Sequence, residues 1–216
     1  MVHATPLIIL SSTKVGDKSL VLHTLSPGWG RRSFITSAGN GAAMAMFQPM
    51  SLLEGEVVEN PKSDLWRIRS VTATEPLAGI RGDMRKNTMS LFMSEVLYRT
   101  IKEGANEDGL YEWCRRSILT LDALQQDFSN FHLRFLLEFA GALGFSPTIE
   151  DLAPFAGEHY SVVRQLLSSS AAGSMLVPMT GAQRNAVAGL LLDYIGFHTE
   201  SQLNIRSLHV LREIFS

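Results

Sequence analysis

The sequence predicts an α+β protein, with a five-stranded β-barrel over residues 1–78 and an all-α domain over residues 79–216. Three observations carry that prediction. Before residue 76 the chain is a series of short apolar or alternating segments separated by Gly- and Pro-containing breaks, the pattern of strands and turns. From Ile80 onward apolar residues recur at helical spacing. The stretch FHLRFLLEFAGALGFSP, residues 131–147, is hydrophobic on almost every helical face from Leu133 to Phe145, which marks a helix buried on most sides.

Residues 7–12 and 19–25 flank a Lys14-Val15-Gly16-Asp17 turn and read as a hairpin, and Pro27-Gly28-Trp29-Gly30 makes the next break. Residues 32–37 alternate, with Phe34 and Thr36 on one side and Ile35 and Ser37 on the other. Residues 51–58 and 65–74 complete the strands, split by Asn60-Pro61-Lys62-Ser63-Asp64. Five such strands suit a small closed barrel, and five is the count of an OB-fold; an SH3-like barrel or a half sandwich shares the pattern. Beyond a junction at residues 76–82, helices are expected over 84–103, 108–125, 131–143, 158–167, 180–198 and 205–215. Thr180 with Gln183 forms a capping box, Asn106 or Glu107 restarts the chain after Gly104, and Asn130 is placed to cap the central helix. Gly144 and Pro147 end that helix. No internal repeat suggests a solenoid.

The overall charge of -2 hides a polarity. Residues 1–86 hold ten Lys/Arg against seven Asp/Glu, whereas residues 87–216 hold nine against fourteen, so a polyanion-binding face belongs to the first half. Lys14 and Lys18 lie around the first hairpin, and Arg31 and Arg32 open the third strand. Arg67 and Arg69, two apart on the fifth, share a face. Arg81, Arg85 and Lys86 form a second cluster where a helix starts; the macrodipole disfavours cations there, so a role outside the helix is expected of them. These nine residues are the expected nucleic-acid contacts, acting by salt-sensitive neutralisation of phosphates. Trp29, Phe34 and Trp66 are the aromatic residues available for base stacking, with Phe34 assigned to the core and Trp66 open between core and surface. Arg134, the one cation of the buried helix, has Glu138 one turn on as a partner.

Enzymatic constellations fail. Gly28-Trp29-Gly30 and Gly39-Asn40-Gly41 are neither a Walker loop nor a complete dinucleotide fingerprint. There is no HExxH and no GxSxG, and His23, His132, His159, His198 and His209 are scattered. Cys114 sits in YEWCRRS beside Arg115 and Arg116, a setting that lowers a thiol pKa, and an enzyme built on it is the most distant reading. As the single cysteine it excludes an internal disulfide and a multi-thiolate metal site. No run approaches the ~18 to 20 apolar residues of a membrane span, and MVHATPLIILSS lacks the basic region of a secretory signal. A soluble, cytoplasmic chain without cofactor is expected.

The Arg-Phe start, apolar run and Leu-Gly-aromatic finish of residues 134–145 resemble the central helix of the RecO family of bacterial recombination mediators. The opening LIILSSTKVGDKSLVLHTLSPGWG, the strand RRSFITSAGN, the step FQPMSLLEGEV and the closing LNIRSLHVLREIF are similar to family segments, in order along nearly the whole chain. The resemblance implies a non-enzymatic, nucleoid-associated protein that binds single- and double-stranded DNA and anneals complementary strands. It implies cooperation with RecR in displacing single-stranded DNA-binding protein so that RecA can load. It also implies a pocket by the central helix for the acidic, apolar C-terminal tail of single-stranded DNA-binding protein, where Arg134 suits a terminal carboxylate. Many relatives carry a four-cysteine zinc site after that helix; here the stretch reads PTIEDLAPFAG, so no zinc is expected. From the residues alone, a helical adaptor whose barrel binds protein rather than DNA is the alternative.

Overall fold

The computed structural model of the chain describes residues 2–39 and 44–215. Five strands form a closed barrel: β1 (Val2–Val15), β2 (Ser19–Ser26), β3 (Gly30–Ser37), β4 (Leu52–Val58) and β5 (Trp66–Ala73). Their order is β1-β2-β3-β5-β4, closing on β1, with β3 and β5 parallel and the other pairs antiparallel. This is an OB-fold.

β1 makes closure possible by serving two partners. Its first half pairs with β4, from Val2↔Val58 to Ile8↔Leu52, and its second half pairs with β2, from Ile8↔Leu25 to Val15↔Ser19. The change of partner coincides with an irregularity in register between Ile9 and Ser11, where the extra residue bends the strand. Leu7, Ile8, Ile9 and Leu10 are all buried, so this strand is an unbroken apolar run rather than an alternation. Inside the barrel, Leu7, Ile9, Leu20, Leu22, Phe34, Leu53, Val57 and Ile68 form the core.

β5 meets β3 only through Phe34↔Trp66 and Ile35↔Arg67, which leaves the first residues of β3 an open edge. Residues 103–105 fill it. Arg31 N–H donates to the Ala105 carbonyl at 3.0 Å, and Gly104 N–H donates to the Arg31 carbonyl at 2.8 Å. Gly30 is required beside this clamp: its φ is +58°, and a Cβ there would stand 1.9 Å from the Ala105 oxygen.

The helices are α1 (Ala78–Gly82), α2 (Met84–Thr100), α3 (Leu110–Ala123), α4 (Phe131–Ala142), α5 (Ile149–Ala156), α6 (Tyr160–Ser168), α7 (Ala171–Met175), α8 (Gly181–His198) and α9 (Ser207–Ile214), with a 3-10 turn at Gly157–His159. The chain divides into two compact units, and neither is continuous in sequence. One comprises residues 1–78 and 94–119; the other comprises 79–93 and 120–216.

In the second unit α4 is the buried centre, with Leu133, Phe135, Leu136, Phe139 and Ala140 at most 1 % exposed. Gly144 follows it at φ +90°. Thr180 and Gln183 close the expected capping box on α8. Asn130 corrects its expectation: it precedes α4 but does not cap it. Its amide instead donates to the carbonyls of Ser174, Met175 and Val177, while its oxygen accepts from Arg184 Nε at 3.1 Å. Arg184 also donates to the carbonyls of Phe215 and Met179, so one buried polar knot fixes the α7–α8 connection and the end of α9.

Candidate nucleic-acid interface

Each expected cation has a distinct setting. Lys14 and Lys18 flank the Gly16-containing turn of the β1–β2 hairpin, both exposed. Arg67 projects from β5 while its neighbour Ile68 points into the core, so Arg67 and Arg69 lie on the same outer face. Lys62, which sequence reasoning left out, is exposed in the β4–β5 loop, where Asn60 Oδ1 accepts from its backbone N–H. Among the described residues, no side-chain partner engages Lys14, Lys18, Lys62 or Arg67. In OB-folds the β1–β2 and β4–β5 loops are where oligonucleotides are held, and here three of these four cations sit in or beside those loops. Arg69 differs, because it is paired with Glu56 at 3.1 Å.

Arg31 and Arg32 are partly covered and point opposite ways. The Arg32 guanidinium lies 3.5 Å above the Trp66 ring and donates to the Asp64 carbonyl at 3.4 Å. Trp66 in turn donates from Nε1 to the Asn60 carbonyl and meets Trp29 edge to face at 5.8 Å. This Arg–Trp–Trp stack forms one end of the barrel and leaves Trp66 and Trp29 half-buried; Phe34 is wholly core. Arg31, on the outer face, donates to the Ile101 carbonyl at 2.7 Å and lies 4.4 Å over the Tyr98 ring. Its Nη2 is 3.6 Å from Glu103 Oε2, and Glu103 Oε1 accepts the Ser33 N–H at 2.7 Å. His23 joins the same face, its Nδ1 2.8 Å from Ser33 Oγ and its ring against Tyr98. Burial, then the Arg31 charge, holds the His23 pKa below its ordinary value, with Glu103 opposing.

The cluster in the helical unit is built for structure as much as for display. Arg85 donates to Asp83 and stands 4.8 Å from the Phe128 ring. Asp83 at the start of α2 offsets the dipole problem posed by the neighbouring cations, and hydrogen bonding to Arg85 holds its carboxyl below the usual range. Arg81 is half-buried, and that desolvation lowers its pKa against the pull of Asp122. Lys86 corrects the sequence expectation. It is 3 % exposed, and its ammonium donates to the Asp122 carbonyl at 2.9 Å, turned into the protein rather than toward phosphate. Asp122 also accepts from Ile80 N–H, so it serves α1 and α2 together.

Arg134 lines a cavity of about 300 Å³ with Leu137, Pro147, Leu166, Leu167 and Ala171. Its Nε donates to Glu138 at 2.7 Å and its Nη1 to the Ala171 carbonyl at 3.1 Å. Glu138, Ser146, Ser169 and Ser174 also reach the wall, so the lining is mixed apolar and polar, and the expected partner Glu138 is in place. Cys114 overturns the reactive-thiol expectation: it is fully buried, and desolvation pushes its pKa up, opposite to what a nucleophile needs. Of the Gly-x-Gly pieces, Asn40 and Gly41 lie outside the described residues. Among those residues no helix is long and apolar enough to cross a membrane.

The family profile "Recombination protein O C terminal" matches residues 81–153. Over its full length the chain is 30 % identical to the DNA repair protein RecO of Phocaeicola vulgatus, with both chains covered completely. It is 29 % identical to that of Bacteroides fragilis, again over both whole chains, and 28 % identical to that of Flavobacterium psychrophilum over 98 % of each.

Proposed function

Because the chain belongs to the RecO family of DNA repair proteins, we propose that it is a non-enzymatic mediator of DNA repair and recombination that works by binding DNA. The barrel carries single- and double-stranded DNA, and charge neutralisation of two strands on one protein lets complementary strands anneal. With RecR it loads RecA onto DNA that single-stranded DNA-binding protein has covered, in the cytoplasm at the nucleoid. The tail of single-stranded DNA-binding protein enters the Arg134 cavity, where Arg134 Nη2 has no partner among the described residues.

The observation that carries this reading is the set of unengaged, exposed cations on an OB-fold's two binding loops and fifth strand, Lys14, Lys18, Lys62 and Arg67. Anisotropy of a labelled single-stranded oligonucleotide, titrated at several salt concentrations, tests it. Replacing Lys14, Lys18 and Arg67 together by Ala should lower the salt slope by roughly 2, from about 0.7 per phosphate contact. Binding that is absent, or indifferent to salt, would favour the protein-binding adaptor instead. For the tail, Arg134→Ala should weaken a tail peptide by about 1.5 to 3 kcal/mol, the range for a hydrogen bond to a charged group. A variant that melts lower yet binds the peptide normally would assign Arg134 to Glu138 alone.

A further inference from the structure

We propose that the open edge of β3 is a phosphate subsite for single-stranded DNA, occupied in cis by the Glu103 carboxylate. The inference rests on the DNA-binding reading and adds to it a site and its competitor. Between Arg31 and Ser33 no strand among the described residues pairs with the β5-facing edge of β3, so those backbone groups need another partner. Two of them find backbone, at Gly104 and Ala105; the third, Ser33 N–H, finds a carboxylate. Glu103 bridges that N–H at 2.7 Å and the Arg31 guanidinium at 3.6 Å. A backbone N–H and a guanidinium converging on one anion is the donor set that also takes a phosphate oxygen.

Three further facts fit a displaceable occupant. The Glu103 side chain is 50 % exposed whereas that of Arg31 is 15 % exposed, so the donor is covered and the carboxylate is open to solvent. Arg31 is held by the Ile101 carbonyl and the Tyr98 ring, and would keep its place if the carboxylate swung away. The site also borders the outer face of β2 and β3, the face that carries nucleic acid in OB-folds, where Tyr98 covers Arg31 and His23. Phosphate and carboxylate therefore compete for the same two donors, and the α2–α3 connection restrains DNA binding at this point.

The test uses the full-length protein with a labelled single-stranded oligonucleotide across a salt series, with melting temperature recorded for each variant. Glu103→Gln keeps an acceptor for Ser33 N–H but removes the charge. It should tighten binding at low salt by roughly threefold to tenfold and steepen the salt slope by about 0.7, one further phosphate on a single strand. Glu107→Gln, the same charge change four residues on, should shift affinity by less than about twofold, as expected of an exposed charge without a donor at the phosphate. In an Arg31→Ala background the gain from Glu103→Gln should vanish, because the two residues act as a pair. The inference is overturned if Glu103→Gln binds no better than the parent, if Glu107→Gln gains as much, or if the gain survives without Arg31. A Glu103→Gln protein that does not fold would mark the carboxylate as structural and overturn it too. A parent protein that binds no DNA at any salt fails earlier, and takes the DNA-binding reading with it.

Discussion

His132 is 2 % exposed, packed edge-on to Phe92 and stacked on Phe215, and its Nδ1 has no hydrogen-bond partner among the described residues. Burial, reinforced by Arg184, lowers its pKa from 6.5 to about 3. The unfolded chain therefore binds a proton that the folded chain refuses. This contribution to stability is complete above pH 6.5 and is lost progressively as pH falls toward 3, by at most about 1.4 kcal/mol per pH unit. His132→Phe keeps a ring between the two phenylalanines and should flatten that acid limb. Melting curves at pH 7 and pH 5 check it; parallel losses in parent and variant would exclude His132 as the source. Gly30 makes a second forecast. Gly30→Ala should cost about 1–3 kcal/mol from its left-handed backbone alone, and more from the Ala105 oxygen, read as a lowered denaturant midpoint. At this scale the sequence is legible where the environment is local. Lys14 and Lys18 owe their exposure to a hairpin of a few residues. The covering of Arg31 by Ile101 and Glu103 comes from 70 residues away, which no window of sequence spans. The same reason hid the burial of Lys86 and Cys114, since both depend on what packs above them.

Among the elements, two residues in front of helices bear comparison. Thr180 does the ordinary work of an N-cap, and Thr180→Ala should cost about 1 kcal/mol. Asn130 has the same sequence signature but holds three carbonyls and Arg184 in a buried knot. Asn130→Ala leaves those groups unpaired and should cost roughly 3 kcal/mol, at about 1 kcal/mol or more for each buried group left bare. Urea titration of both variants ranks them, and an equal cost would reduce Asn130 to a simple cap. Strands and long helices are legible because each carries its own period: β2, β3, β4, α4 and α8 begin and end within two residues of expectation. The shorter α6 and α9 do so too, whereas α1, α5 and α7 have no counterpart among the expected helices. α5 contains Pro154, which reads as a breaker, yet Thr148 and Asp151 form a reciprocal capping box that starts the helix. α1 takes its first N–H partner from Asp122, 42 residues on. β1 extends beyond its apolar stretch at both ends because pairing with β4 and β2, and not hydrophobicity, sets its length.

For the molecule as a whole, residues 94–119 are grouped with the barrel rather than with the other helices. A fragment of residues 1–78 lacks the Ile101 carbonyl for Arg31, the 103–105 clamp on β3 and the Arg115 partner of Glu75. That fragment should be far less stable than the full chain, seen as a lower and broader melting transition by circular dichroism; matching transitions would show that the strands alone suffice. The charge polarity is a property of this scale too, with the excess of Lys and Arg confined to residues 1–86. The interleaving of the two units bears on the order in which the chain is made. A ribosome adds about 5–20 residues each second and domains commonly finish in turn from the N-terminus. Here residues 79–93 leave the ribosome before the segment that completes the barrel, yet their own partners begin at residue 120. Until then Met89, Phe92 and Met93, all buried in the finished protein, have no core to enter. The apolar face of nascent α2 is thus exposed until the chain beyond residue 120 has been made.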